Sequence, residues 1–518
     1  MLPALTLLAA FSPQEPALSR QTFHHPELGI TVQEERRFDA ATGRIVRDAR
    51  VDGLRVDADA LMARAIAARI ADHGKLHPTL VEKLALGQVQ EVAFWLVAPP
   101  AHPDLRAVID QQRALGATPE AARRTALALA TAVVASGNSA FAAAALAAGG
   151  TVTHQDTLTP VVFVRAEPAV VRALAMRADV DLAYWSSPQW LPEADGLDAT
   201  TVARWNEWAS KTARTDTVHR RGITGAGVKV MVNDVNEVVL GNPFLPTLVR
   251  GSALSVAAHA TAVAGIIASS QTPNTGAAPG LTQLYSYAGA GDTAAPQAWA
   301  WAMAQGVCFG NCSWWNGQKG QIQFLDRWFD YTIRTFAVML FKSSGNQGGS
   351  DGKITTPGCG FNMIASGNAT DQNTHDWNGD AMSSSSSWVN PIEGHDKPEV
   401  TACGTTITTT ATASPWISAQ GSGTSYSSPV TCGTAALLAQ TNPALQAQPE
   451  ALRALLMAGA FHNVEGVAAL SDRDGTGHID AAASQSATAR GQLHTATLTP
   501  ASFTSGFYDV QVPLVGND

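Results

Sequence analysis

The chain has 518 residues and 54.1 kDa, is 45% hydrophobic and 15% charged, and carries a formal net charge of −9. That length exceeds one ordinary core, so at least two folding units are expected, the larger an enzyme-sized α/β domain. The acidic balance argues against nucleic acid or an anionic membrane as partner, and the arginine pairs Arg36-Arg37, Arg123-Arg124 and Arg220-Arg221 are read as solvated faces.

In chain order, residues 2–11 form a short apolar core ahead of Ser12-Pro13 with no Lys or Arg before it, and residues 1–19 are read as a possible signal segment of a secreted protein. No later stretch is expected to be apolar for long enough to span a bilayer. Residues 20–89 form an extension that alternates polar and apolar without a repeat, helical over 54–70. Within 90–187 the pattern gives a strand at 92–97, a helix at 105–115, one or two Ala-rich helices over 119–148, strands at 151–153 and 161–165, a helix at 168–177 and a strand at 181–185, together a smaller α+β unit. Prolines and small or acidic residues over 186–199 mark a linker, bounded as 188–205.

Residues 206–484 form the larger domain. Short apolar strands at 228–233, 283–287, 307–311, 337–343 and 362–366 alternate with helices at 261–269, 295–305 and 324–336, which predicts an α/β fold: a parallel sheet with helices on both faces. Ligands of such sheets sit at strand carboxyl ends, where Asp234, Ser313 and Asn346 would gather. Helices follow at 426–440 and 450–458, and 485–518 reads as a short β tail. The five cysteines make no disulfide framework, and Cys308 and Cys312 on one strand would stand about 13 Å apart, too far for a bridge. No Cys/His spacing suits zinc, so no metal site is assigned.

The chemistry concentrates in Gly423-Thr424-Ser425-Tyr426-Ser427-Ser428-Pro429, which puts a serine between a Gly-Thr turn and an apolar helix. A serine hydroxyl needs a base, and the base needs a partner fixing its tautomer. His259 and Asp234 fit those roles, and Asp, His, Ser is one of three chain orders in which this triad occurs. Asn346, in Ser343-Ser344-Gly345-Asn346-Gln347-Gly348, is the candidate donor to a carbonyl oxyanion, with the Ser425 backbone N–H as the second. Taken singly, Ser425 reads as a helix cap, His259 as a satisfied buried histidine, Asp234 as a strand-end turn residue and Asn346 as a left-handed turn residue. Their joint occurrence in this order favours catalysis.

On these residues the chain resembles the subtilisin-like serine proteases, the subtilases. The stretch 222–230 is similar to that family's lead-in to the aspartate strand, His259-Ala260-Thr261-Ala262-Val263-Ala264-Gly265 to its His-Gly-Thr-His-Val-Ala-Gly block, and 423–429 to Gly-Thr-Ser-Met-Ala-x-Pro, over roughly 218–483 in all. The resemblance implies a triad of Asp234, His259 and Ser425, and Asn346 in the oxyanion hole. It also implies a substrate-binding wall at Ser313, Trp314 and Trp315, with Gly289 on the opposing segment. It implies a secreted endopeptidase acting through an acyl-enzyme, monomeric, with protein or peptide substrates. The unit at 90–187 would be its inhibitory prodomain, cut free within 186–199. Calcium often accompanies the family. The acidic turn 472–477 would be its place, but the absence of a following bidentate Glu favours a structural Asp-Gly-x-Gly turn. Three departures stand out: Val235-Asn236 after Asp234, Ala260 and Ala262 in the histidine block, and Trp315 beside the pocket. The two alanines are sterically mild changes; Trp315 and the altered turn after Asp234 motivate a second reading, a pseudoprotease holding peptides without cutting them, and a third is an esterase using the same triad.

Overall fold

The computed structural model describes residues 17–193 apart from 26, 40–43, 99–101 and 189, residue 209, and residues 211–493 apart from 373, 375, 376, 378, 462, 463, 465–472, 491 and 492. Residues 1–16 of the possible signal segment 1–19, most of the expected linker, Asp472 and the residues beyond 493 lie outside them.

The extension contains strands the sequence reading did not find. β1 (Ala17–His25), β2 (Ile30–Asp39), β3 (Arg44–Val51) and β4 (Leu54–Val56) form an antiparallel meander in that order. Asp52 and Gly53 between β3 and β4 both have positive φ, 50° and 80°, the backbone of a two-residue hairpin turn. Val32 and Ala49 bury against Leu61 of α1 (Ala58–His73), so the helix expected from 54 begins only after β4. α2 (Pro78–Ala85) follows.

The α+β unit comprises β5 (Gln90–Leu96), α3 (Leu105–Ala114), α4 (Pro119–Ala147), β6 (Thr151–Gln155), β7 (Val161–Ala166), α5 (Pro168–Ala175) and β8 (Val180–Trp185). Its antiparallel sheet runs β6-β7-β5-β8. β5 reads as a continuous apolar run because both faces are covered. Val92, Phe94 and Leu96 pack with Phe141 and Leu174, while Ala93 and Trp95 pack with Phe163, Phe324 and Trp328 of the larger domain. Gly150 lets the turn between α4 and β6 pack closely, since a Cβ there would fall 2.7 Å from Val164 Cγ1 of β7 and 3.1 Å from Ala145 O of α4.

In the larger domain β10 (Val230–Asp234), β11 (Thr247–Arg250), β12 (Gln283–Ala288), β13 (Phe309–Cys312), β15 (Met339–Ser343), β16 (Ile364–Thr370) and β18 (Val400–Cys403) are parallel, in the order β11-β12-β10-β13-β15-β16-β18. β17 (Ala381–Met382) pairs antiparallel with β16, and β19 (Ile407–Thr410) with β20 (Ile417–Gly421). β11, β18 and the β19–β20 hairpin were not foreseen. After α6 (Thr215–His219), α7 (Ala258–Ala268) and α10 (Thr424–Thr441) cover one face with Val230, Val232, Met339 and Phe341. α8 (Ala294–Ala304) and α9 (Phe324–Phe336) cover the other with Met231 and Leu340. α11 (Pro449–Ala458) and α12 (Ala481–Ala489) complete the first layer. The α/β architecture with a separate α+β unit is therefore present.

Two expectations are corrected on α4. At 29 residues it is long and apolar enough to cross a membrane, contrary to the reading that no such stretch exists; here its apolar surface packs on the β5 sheet and on α8 and α9. Arg123 on this helix is 1% exposed rather than solvated. Its guanidinium donates to the carbonyls of Phe336 (3.0 Å), Ala337 (3.1 Å), Val307 (3.3 Å) and Gln446 (2.9 Å), satisfying the end of α9 from across the domain boundary. All five cysteines are free and buried, and burial pushes the thiol of Cys308 up to about 11 and that of Cys312 up to about 12.

Arg123→Met should strip four carbonyls, three of them in buried bonds, of their donor and cost on the order of 3 kcal/mol or more in unfolding free energy, read from the urea midpoint of a Ser425→Ala background. Arg124→Met, whose partner Glu120 lies on an exposed face, should change it by less than about 0.5 kcal/mol.

Candidate active site

Asp234 ends β10 and is 2% exposed. Its carboxylate accepts from Val235 N (2.7 Å) and from His259 Nδ1 (3.0 and 3.2 Å). Val235-Asn236 thus still supplies a backbone donor to the carboxylate. The loop beyond is pinned by Glu237, fully buried, which accepts from Ser252 Oγ (2.6 Å), Ala288 N (3.2 Å) and Ser286 Oγ. His259 opens α7, flanked by the fully buried Ala260 and Ala262, and its ring lies 5.8 Å from that of Tyr426. With Nδ1–H directed at Asp234, Nε2 is the basic nitrogen, and it has no hydrogen-bond partner.

Ser425 lies in the first turn of α10, after Gly423 at φ +140°. Its side chain caps no helix N–H; Oγ donates to Ser313 O at 3.1 Å. Ser313 Oγ in turn donates to Ser425 O (2.9 Å) and accepts from Asn311 Nδ2 (2.8 Å), while Asn311 Oδ1 accepts from Ser428 Oγ (2.7 Å). This chain of bonds fixes β13 against α10. Asn346 Oδ1 accepts from Thr424 N (3.0 Å) and Thr424 Oγ1 (2.9 Å), which leaves the Nδ2 hydrogens for another acceptor. Gly345 before it has φ +115°, and a Cβ there would fall 2.6 Å from Thr355 Cγ2.

The cleft in front of these residues is occupied by the chain itself. β9 (Leu191–Pro192), within the expected linker, pairs antiparallel with β14 (Trp314–Trp315), Pro192 opposite Trp314 and Leu191 opposite the half-buried Trp315. Glu193 N donates to Ser313 O (3.1 Å), and Glu193 O accepts from Ser425 N (3.1 Å). Trp314 is fully buried, its Nε1 donating to Asn233 O (3.1 Å). On the opposite wall Gly289 N donates to Asp234 O (2.9 Å), and Gly291 at φ +107° leaves no room for a Cβ, which would stand 2.9 Å from the Trp190 ring. Of the sequence-derived residues, Ser313, Trp314, Trp315 and Ser425 therefore hold one strand of main chain. Sequence reasoning missed Glu193, which the linker composition hid, and Lys342, a charged residue inside the buried strand β15. The turn Asp474 to Gly477 is packed on β18, Thr401 N donating to Gly477 O (2.9 Å) and Thr401 Oγ1 to Asp474 O (3.2 Å).

Residues 243–485 match the subtilase family, peptidase S8. The match begins after Asp234. The M-protease of Shouchella clausii strain KSM-K16 and an alkaline protease of Alkalihalobacillus alcalophilus are each 29% identical over 307 residues, 56% of this chain and 72% of theirs. Among solved structures, fervidolysin from Fervidobacterium pennivorans, a keratinolytic enzyme related to subtilisin, superposes with a TM-score of 0.53 at 17% identity, covering 77% of this chain and 61% of that one. That likeness is one of fold. Nothing in these likenesses supports the reading of a protein that holds peptides without cutting them.

The occupying segment is also held by Asp292, whose carboxylate accepts from Ser187 N (3.0 Å) and from Asn316 Nδ2 (3.2 Å). Burial raises its pKa from 3.8 to about 6. The folded form therefore binds a proton that the unfolded form has released, so this group's contribution is full below pH 3.8 and is lost as pH rises through about 6. Between pH 4.5 and 7 the Ser425→Ala chain should lose about 2 kcal/mol of stability relative to its Asp292→Asn counterpart, read from paired urea titrations; parallel curves would contradict this.

Proposed function

The chain belongs to the subtilase family of serine endopeptidases, and from that premise we propose that it cuts peptide bonds through an acyl-enzyme on Ser425 and is made as an exported precursor. Ser425 Oγ attacks the carbonyl carbon, His259 Nε2 takes its proton and returns it to the leaving amine, and Asp234 holds the imidazole tautomer and stabilises the imidazolium. Proton transfer requires the Ser425 side chain to turn from Ser313 O toward His259 Nε2, the nitrogen without a partner. The Ser425 N–H and Asn346 Nδ2 receive the oxyanion. The observation that carries this reading is the contact of the Glu193 carbonyl with Ser425 N, in a segment paired with β14: a peptide lies in the cleft in a substrate's direction, its carbonyl on an oxyanion donor. The same observation supports the precursor, because a filled cleft admits no other peptide, and the unit at 90–187 leads directly into the filling segment. The apolar stretch 2–11 supports export.

A fluorophosphonate probe should label the processed protein and fail to label Ser425→Ala; no labelling of any wild-type form would refute the assignment. Asn346→Ala should lower kcat by about 10²–10³-fold, the magnitude measured for this donor in subtilisin itself. N-terminal sequencing of protein recovered from culture medium tests export and processing together.

A further inference from the structure

The residue whose carbonyl rests on Ser425 N is Glu193, and its side chain is buried in a cluster of polar groups. Glu193 is 4% exposed and Lys342 is fully buried. Lys342 Nζ meets Glu193 Oε2 at 2.5 Å, and also donates to Ser343 O (2.6 Å) and Ser343 Oγ (2.8 Å). Ser343 Oγ donates to Glu193 Oε2 and Thr355 Oγ1 to Glu193 Oε1, so both carboxylate oxygens are engaged. The cluster borders the site: Thr355 stands against Gly345, and Ser343 comes three residues before Asn346.

Two considerations separate this from a buried tether. Among the described residues Glu193 is the one carboxylate paired with Lys342, and without it the ammonium would keep only neutral oxygens, an expensive state for a buried charge. The pocket is therefore incomplete until an acid enters it. The main chain also carries Glu193 through in a substrate's register, N–H to Ser313 O and C=O to Ser425 N, which makes its side chain the one on the N-terminal side of the bond to be cut.

Resting on the protease reading above, we propose that Lys342, Ser343 and Thr355 form a pocket that selects glutamate immediately before the cleaved bond, and that Glu193–Ala194 is the chain's own first such bond. Ser425 Oγ adds to the Glu193 carbonyl carbon as its proton passes to His259. The C–N bond to Ala194 breaks and the proton leaves on the Ala194 amine. Water then adds to the Glu193 ester, releasing Ser425 and a terminal Glu193 carboxylate. Glutamine keeps the shape but not the charge, and aspartate falls one methylene short of Lys342.

The test uses the full chain. The wild type is expected to yield a fragment beginning at Ala194. On peptides differing only before the scissile bond, Glu should exceed Gln, Leu and Phe by about 10²-fold or more in kcat/KM. Lys342→Met should remain intact, and adding Glu193→Leu to it should restore processing at the same bond, which shows that the single variant is folded. In the Ser425→Ala background, Glu193→Leu should lower the thermal midpoint, and the second change Lys342→Met should recover it. A protein that labels with fluorophosphonate yet cleaves after Leu or Phe as fast as after Glu overturns the pocket and leaves the protease reading standing. One that neither labels nor cleaves overturns both.

Discussion

The register of three neighbouring parallel strands governs everything at the site. Asn233 of β10 stands opposite Cys312 of β13, and Cys312 opposite Lys342 of β15. Strands about 4.8 Å apart thereby bring Asp234, Ser313 and Ser343 to the sheet's carboxyl edge as a row. The pleat then divides the work between the two faces. Val230 and Val232 point toward the α7–α10 layer, and Asp234, two residues on, faces the helices that carry His259 and Ser425. Leu340 points toward the α8–α9 layer, and Lys342, two residues on, pairs with the buried Glu193. A slip of one residue in β15 would exchange the ammonium for a hydroxyl at that position.

Buried carboxylates do much of the remaining fixing, each with its donors supplied locally. Glu237 stiffens the loop after Asp234 although the usual turn residues are missing, and Asp292 ties Ser187 to Asn316 just ahead of the occupied cleft. Glu399 pairs with Lys397 (2.6 Å) and Arg453 (2.7 Å) and accepts from Ala365 N (2.8 Å), which fastens the far side of the sheet. Such groups are retained only where every lone pair is met. The site owes its rigidity to these satisfied charges as much as to apolar packing.

What could be read from sequence follows the range of the interactions involved. The strands of the α+β unit and the central sheet are apolar runs between turn residues, and α9 was placed to the residue, because burial on both faces leaves a local signature. β2 and β3 carry arginines and acids at nearly every second position and cover a core of only a few side chains, so no such signature arose. Asp234, His259, Asn346 and Ser425 each sit in a short motif. Lys342 does not: its meaning comes from Glu193, 149 residues earlier, in a segment whose composition reads as linker. Arg123 was misjudged for the same reason, since the carbonyls that bury it belong to residues 184 to 323 positions later.

The apolar layer beneath the β5 sheet has a further consequence. Phe324 makes ring contacts with Trp95, Phe163 and Tyr184, all from the preceding unit, and Trp328 Nε1 donates to Asp156 Oδ2 (3.2 Å). These aromatics belong to the larger domain's surface but are wetted only if the units part. A separated larger domain would present a sticky, unsaturated face to its neighbours, so its colloidal behaviour, and its tendency to self-associate at high concentration, would be set by a patch that the intact chain never shows to solvent.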